Sequence, residues 1–207
     1  MLDIGLKEYL SQLNAVDDLV LNDMHERAAN QRFPIIGPEV GRLVHLLGKA
    51  IGAKTVFELG SGFGYSAWWF AHVVGPDGLV YLTDTKHENL ADAEMYLERS
   101  GLLDRCCTYL GDALVHFEAW NGKADIVFVD IDKQDYPKIF PLLNDRLRIG
   151  GMLIVDNILW SGRVYMGDDA ESTHGVQQLT QLIRGDARYL WSIVPIRDGV
   201  LTALKVA

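Results

Sequence analysis

Val127-Phe128-Val129-Asp130-Ile131-Asp132-Lys133, followed farther along by Leu153-Ile154-Val155-Asp156-Asn157, decides how this chain is read. Each piece is a short apolar run of the kind that forms a buried strand, and each ends in acids or an amide. In an open parallel sheet, ligands sit outside the carboxyl ends of the strands. Asp130 and the Asp156-Asn157 pair are therefore expected side by side at one rim. Two carboxylates and an amide oxygen are hard ligands, suited to Mg²⁺ or a similar cation. Lys133 would point into the same place. An ammonium beside a dication is pushed toward its neutral form and can serve as a base. Taken singly, each acid can equally be a turn former or an N-cap. Lys133 can equally pair with Asp132 or Asp135 on a solvated helix end.

The rest of the pattern agrees with a parallel sheet. Strands are expected over residues 55–59, 79–83, 106–110, 126–129 and 152–155. Helices are expected over 65–74, 86–100, a short piece from 113, and 136–145. Repeated strand–helix units mean helices on both faces of the sheet. The tail differs: a helix over 172–184, then strands over 189–195 and 199–206 joined around Arg197-Asp198. That reads as a hairpin adding an antiparallel edge. Ahead of the sheet lies one helical stretch, residues 6–29, broken by Gln31-Arg32-Phe33-Pro34. A second helix opens at Gly37-Pro38-Glu39 and runs to about Ile51. The expected fold is a single α/β domain over 1–207, with a helical cap over 1–52 and a doubly wound, Rossmann-like core over 53–207. The long connection 158–171 carries Trp160, Tyr165 and Met166 and is expected to hang over the site.

At 207 residues, 49% hydrophobic and 23% charged, the chain has the composition of one soluble globular domain. A formal charge of -9 argues against nucleic acid and against anionic lipid. There is no apolar run of membrane-spanning length and no signal-peptide pattern at Met1-Leu2-Asp3, so the cytosol is the expected location. The only cysteines, Cys106 and Cys107, are neighbours that point to opposite faces of a strand, which disfavours a disulfide between them. The histidines are scattered and read as surface or cap residues.

Glu58-Leu59-Gly60-Ser61-Gly62-Phe63-Gly64-Tyr65-Ser66 leaves the first strand. A dinucleotide fingerprint needs a third glycine where Tyr65 stands. A nucleoside with an amino-acid tail and no pyrophosphate fits better. Glu58 could take its ammonium, directly or through water. Asp84 ends the second strand where an acid accepts hydrogen bonds from ribose hydroxyls. Asp112, in Gly111-Asp112-Ala113, either accepts from an adenine amino group or caps a helix.

Together with Asp156-Asn157-Ile158-Leu159-Trp160-Ser161-Gly162-Arg163-Val164 and the late Asp198-Gly199, these motifs resemble the cation-dependent S-adenosylmethionine O-methyltransferases, the family of the caffeoyl-CoA and catechol enzymes. The resemblance runs from about Phe33 to Lys205. It implies a seven-stranded sheet. It implies that Gly60, Gly62 and Ser66 line the methionine part of the cofactor, with Glu58, Ser61, Tyr65 and Asp130 in the same pocket. Asp84 would hold the ribose, and Asp112, Ala113 and Ile131 would border adenine. Asp130, Asp156 and Asn157 would bind the divalent cation, Mg²⁺ first, with Ca²⁺ or Mn²⁺ as alternatives. Lys133 would take the phenol proton, and Trp160 would lie near the acceptor, a phenolic, catechol-like small molecule. The N-terminal helices resemble a dimer-forming part of bacterial relatives, so a homodimer is expected.

Two departures bear on the branch. The animal catechol enzymes use a further acid before the last hairpin, and the region around Ser192 has none. Asp132 and Asp135 flank Lys133 as in the caffeoyl-CoA branch. Both place the chain on the bacterial and plant-like side. Rival readings are methylation of another chelating acceptor, a cofactor-binding module without catalysis, and a nucleotide-dependent oxidoreductase.

Overall fold

Apolar runs bounded by glycine and acidic residues form the strands β1 (Thr55–Leu59), β2 (Leu79–Asp84), β3 (Cys106–Leu110), β4 (Ala124–Val129), β5 (Leu147–Val155), β6 (Tyr189–Val194) and β7 (Val200–Lys205). The helices are α1 (Ile4–Asn14), α2 (Leu19–Gln31), α3 (Gly37–Ala50), α4 (Tyr65–Val74), α5 (His87–Arg99), α6 (Ala113–Ala119), α7 (Ile139–Arg146) and α8 (Glu171–Gly185). This computed structural model describes residues 3–207; Met1 and Leu2, part of the stretch inspected for a leader, lie outside the described residues.

The seven strands form one sheet in the order β3-β2-β1-β4-β5-β7-β6. The first five neighbours are parallel, and β7 and β6 close the edge antiparallel, as the hairpin reading expected. Side chains alternate across the sheet. Val56, Ile126, Phe128 and Ile154 pack under α2–α5, while Phe57, Leu59, Val127, Val129, Leu153 and Val155 pack under α6–α8. Both faces are covered, which is why the central strands are apolar at nearly every position. Each fully buried side chain of this size contributes roughly 1.5–3 kcal/mol relative to exposure. Among the described residues, no helix is long and apolar enough to cross a membrane.

Three expectations need correction. The single N-terminal helix is two, because the Asp18 side chain accepts the Leu21 N–H at 2.8 Å and starts a new helix there. The helix expected over 136–145 begins earlier, as a 3₁₀ turn over Lys133–Lys138 that passes into α7. Pro137 has no N–H to give to an α-helical ladder, which accounts for the tighter start. Finally, β5 starts at Leu147 and runs through Gly150-Gly151, absorbing them as a register shift against Ala124–Ile126 rather than turning.

Two packing details stand out, one at each end of the sheet. Lys205 is buried and donates to the carbonyls of Leu143, Asn144 and Leu147, at 3.1, 2.9 and 3.0 Å, satisfying the end of α7. Gly175 of α8 lies against the backbone of the 3₁₀ turn, where a Cβ would overlap the Lys133 carbonyl oxygen. Gly175→Ala should therefore force α8 and the turn apart and cost roughly 1–3 kcal/mol. Thermal or denaturant unfolding checks this; an unchanged stability would mean the contact is slack.

Candidate active site

The strand order reverses between β1 and β4, and the crevice at their carboxyl ends is where ligands collect in such sheets. Leu59 pairs with Val129 and Val129 with Val155, so β1, β4 and β5 end level. Asp130 and Asp156 each follow the last residue of their strand. They line one cavity of about 630 Å³ together with the glycine loop, Asp84, Gly111-Asp112-Ala113, Ile131, Lys133, Asn157 and Trp160. Gly60 sits at φ +87°, and a Cβ there would overlap the Asp130 carbonyl; only glycine lets the loop pass so close to β4.

Most of the residues read from sequence converge here. Ser61, Gly62, Tyr65 and Ser66 line the cavity. Asp84 faces it, and also holds the loop: its carboxylate accepts from the N–H groups of Gly62 at 3.0 Å and Lys86 at 2.8 Å, and from Asn89 Nδ2 at 3.1 Å. Asp112 caps α6 by accepting from the Leu114 and Val115 N–H groups, as its capping reading expected, and it also borders the cavity. Glu58 differs. It is fully buried behind the loop and does not line the cavity. One oxygen accepts from the Ser66 hydroxyl and Oε2 has no partner. Any influence of Glu58 on a ligand runs through Ser66.

Burial pushes the Glu58 carboxyl up to about 8; the Ser66 and Ser61 hydroxyls oppose this, and the charges of Asp130 and Asp84 add to it. Asp156 is raised above the usual carboxylate range by burial and by the negative charge of Asp130. Lys133 offsets part of this charge at Asp130. Among the described residues, no group of three His, Cys, Asp or Glu side chains gathers into a metal site. The donor set here is instead two carboxylates and the Asn157 amide, which suits a hard, oxygen-seeking divalent ion.

Lys133 is nearly buried. Its Nζ donates to Asp130 Oδ1 at 2.8 Å and to the Ile131 carbonyl at 3.1 Å. The ring centroids of Tyr136 and Trp160 lie 5.1 and 5.7 Å away. The solvated pairing with Asp132 or Asp135 is thus not what forms; Asp135 pairs with Lys138. Tyr136, wholly buried, donates its hydroxyl to the Asp156 carbonyl at 2.9 Å and so ties the lysine's turn to the end of β5.

The 158–170 segment does overhang the site. Arg163 and Thr173 both meet Asp168, and Gln177 Nε2 donates to the Val164 carbonyl at 2.8 Å, which fastens the segment to α8. Beyond it, a second cavity of about 1040 Å³ shares Asp156 and Asn157 and is walled by Leu10, Ala29, Tyr165, Met166 and Ile196. Sequence reading missed several wall residues: Phe33, Pro34, Ile35, Ile36, Thr85, Gln134 and Ser172. Phe33-Pro34 was read only as a helix breaker, and its approach to Gly62 is a long-range contact with no local signal.

A family model described as "O-methyltransferase" matches residues 11–206. The Mycobacterium tuberculosis H37Rv protein named "Probable O-methyltransferase Rv1220c" is 32% identical over 195 residues, covering 91% of this chain and 86% of its own. Caffeoyl-CoA O-methyltransferase 2 of Eucalyptus globulus is 29% identical, over 81% of this chain and 73% of its own. Among solved structures, the O-methyltransferase TomG of Streptomyces achromogenes, in complex with SAM, superposes with a TM-score of 0.89 at 24% identity, covering 98% and 96% of the two chains. A Geobacter sulfurreducens methyltransferase superposes at 0.84 with 26% identity, covering 100% and 98%.

The buried Glu58 has a measurable signature. Its folded value lies above the ordinary 4.5, so its contribution to stability is full below about pH 4.5 and is lost as pH rises through about 8. The ligand-free protein should lose stability from about pH 5 to 8, and Glu58→Gln should flatten that slope by on the order of 2–4 kcal/mol. Melting curves across this range check it; parallel pH profiles for the two proteins would contradict the buried acid.

Proposed function

We propose, from the premise that this chain belongs to the O-methyltransferase family, that it moves a methyl group from S-adenosylmethionine to a hydroxyl of a catechol-like acceptor and needs a divalent cation to do so. The observation that carries this reading is the meeting of Asp130, Asp156, Asn157 and Lys133 in one cavity with the glycine loop and Asp84. The SAM complex of TomG, a protein of the same fold, supports the choice of donor.

S-adenosylmethionine would supply an electrophilic methyl group on its sulfonium. Gly60, Gly62 and Ser66 would take its methionine part, Asp84 its ribose, and Asp112, Ala113 and Ile131 its adenine. A bound cation would supply a Lewis acid that grips two vicinal oxygens and acidifies a hydroxyl. Asp130, Asp156 and Asn157 are the residues that would hold it. Lys133, whose Nζ lies 2.8 Å from Asp130 Oδ1, would accept the hydroxyl proton. Trp160, whose ring centroid lies 5.7 Å from Lys133 Nζ, would wall the site beside it. Holding acceptor oxygen and methyl carbon in line is the larger share of the acceleration; effective molarity contributes roughly 7–11 kcal/mol.

The acceptor would enter through the second cavity, whose volume of about 1040 Å³ leaves room for a molecule larger than a bare ring. That feature favours a substituted catechol or another extended chelating acceptor. A homodimer belongs to the same reading: Leu6, Tyr9 and Leu13 line one exposed face of α1, 42%, 57% and 63% accessible, an apolar stripe that a second copy would cover.

The test is a methylation screen over catechols and their thioesters. EDTA should abolish turnover, and Mg²⁺ or Mn²⁺ should restore it. Cofactor binding by calorimetry should persist in EDTA. Full activity in the chelator would remove the cation and return Asp130 and Asp156 to the role of strand-end acids.

A further inference from the structure

The chain leaving β5 is held in a conformation that its residues do not favour. Asn157, Trp160 and Ser161 have φ values of +55°, +47° and +53°, in the left-handed region, which asparagine tolerates but which tryptophan and serine disfavour. Such a turn persists only where its surroundings fix it. Here the fixing surface is the β6–β7 turn. Ser161 N–H donates to Asp198 Oδ1 at 2.6 Å, Leu159 N–H to the Asp198 carbonyl at 2.9 Å, and Ile158 N–H to the Gly199 carbonyl at 3.0 Å. The receiving turn is itself anchored, since Arg197 donates to the Ile35 carbonyl at 3.2 Å and reaches Glu39 at 3.5 Å.

We propose that Asp198 is a positioning residue: its carboxylate, by capping Ser161, keeps the 157–161 turn in the strained form that aims the Asn157 amide at the cation site. This rests on the reading of Asn157 as a cation ligand. Asp198 also borders the second cavity, but in this role it acts through the backbone of the turn. Without this cap, Ser161 would relax toward right-handed backbone and carry Asn157 with it. The glycine loop after β1 packs against Asp130 and is held by Asp84 rather than by the 157–161 turn, so its ligand affinity should be unchanged.

Affinity for Mn²⁺, followed by the loss of the free-ion signal in electron paramagnetic resonance, reads the effect directly. Calorimetry with S-adenosylmethionine is the control. Asp198→Ala should weaken Mn²⁺ binding about tenfold, the worth of about one hydrogen bond, with cofactor affinity unchanged. Asp198→Asn keeps an acceptor oxygen in place and should bind Mn²⁺ like the native chain. Asp198→Glu keeps the charge but moves it outward by one methylene and should be as weak as Asp198→Ala; it also stands in should the alanine variant not fold. Ser161→Gly alone should leave binding intact. Added to Asp198→Ala, it should restore most of the affinity, because glycine adopts the left-handed form without help. Native-like Mn²⁺ affinity in Asp198→Ala overturns the proposal. So does the opposite ranking, with Asp198→Glu tight and Asp198→Asn weak, which would make charge and not geometry the cause. A native chain that binds no Mn²⁺ at all would instead sink the cation site itself.

Discussion

Two carboxylates at the ends of adjacent parallel strands repel each other, and this repulsion organises the site. Register does the placing: Val129 opposite Val155 sets Asp130 beside Asp156. Burial makes the contact costly, since Asp156 has little water to screen it. The structure answers with positive charge on one side, where Lys133 pairs with Asp130, and leaves the Asn157 amide on the other.

The elements around this pair serve to hold it. Tyr136 joins the lysine's turn to β5 through the Asp156 carbonyl. Helix α8 presses on that turn through Gly175, whose lack of a side chain permits the approach. Across the crevice, Gly60 brings the cofactor loop over the Asp130 backbone, and Asp84 fastens the loop at Gly62. The Asp130–Asp156 pair, the Lys133 turn and the glycine loop are thus held largely through backbone contacts. Their relative placement survives where any one surface charge could be changed.

Much of this was legible in the sequence because the governing signals are local. Apolar runs that stop at an acid located β1, β2 and β4, and the carboxyl-end rule brought Asp84, Asp112, Asp130 and Asp156 to one edge. What stayed hidden depends on distant partners. Glu58 reads as a rim acid, yet strand alternation turns it inward beneath Ser66. Lys205 looks like the exposed end of an edge strand, yet α7 offers it three carbonyls. Gly150-Gly151 look like a turn, yet pairing with β4 carries the strand through them. The left-handed residues after Asp156 have no signature of their own, because the bonds that hold them come from the β6–β7 turn.

The proton transfer is where the functional reading is most exposed. The most direct measurement is the pH dependence of kcat for Lys133→Ala on a catechol at saturating Mg²⁺, with cofactor affinity measured alongside. A positioned base is worth about 10²–10⁴ in rate. The variant should lose that much at neutral pH, regain part of it as the pH rises and the acceptor ionises unaided, and bind S-adenosylmethionine as before. A Lys133→Ala protein with near-native kcat at neutral pH would show that Lys133 serves only to balance Asp130, and that the hydroxyl loses its proton without it.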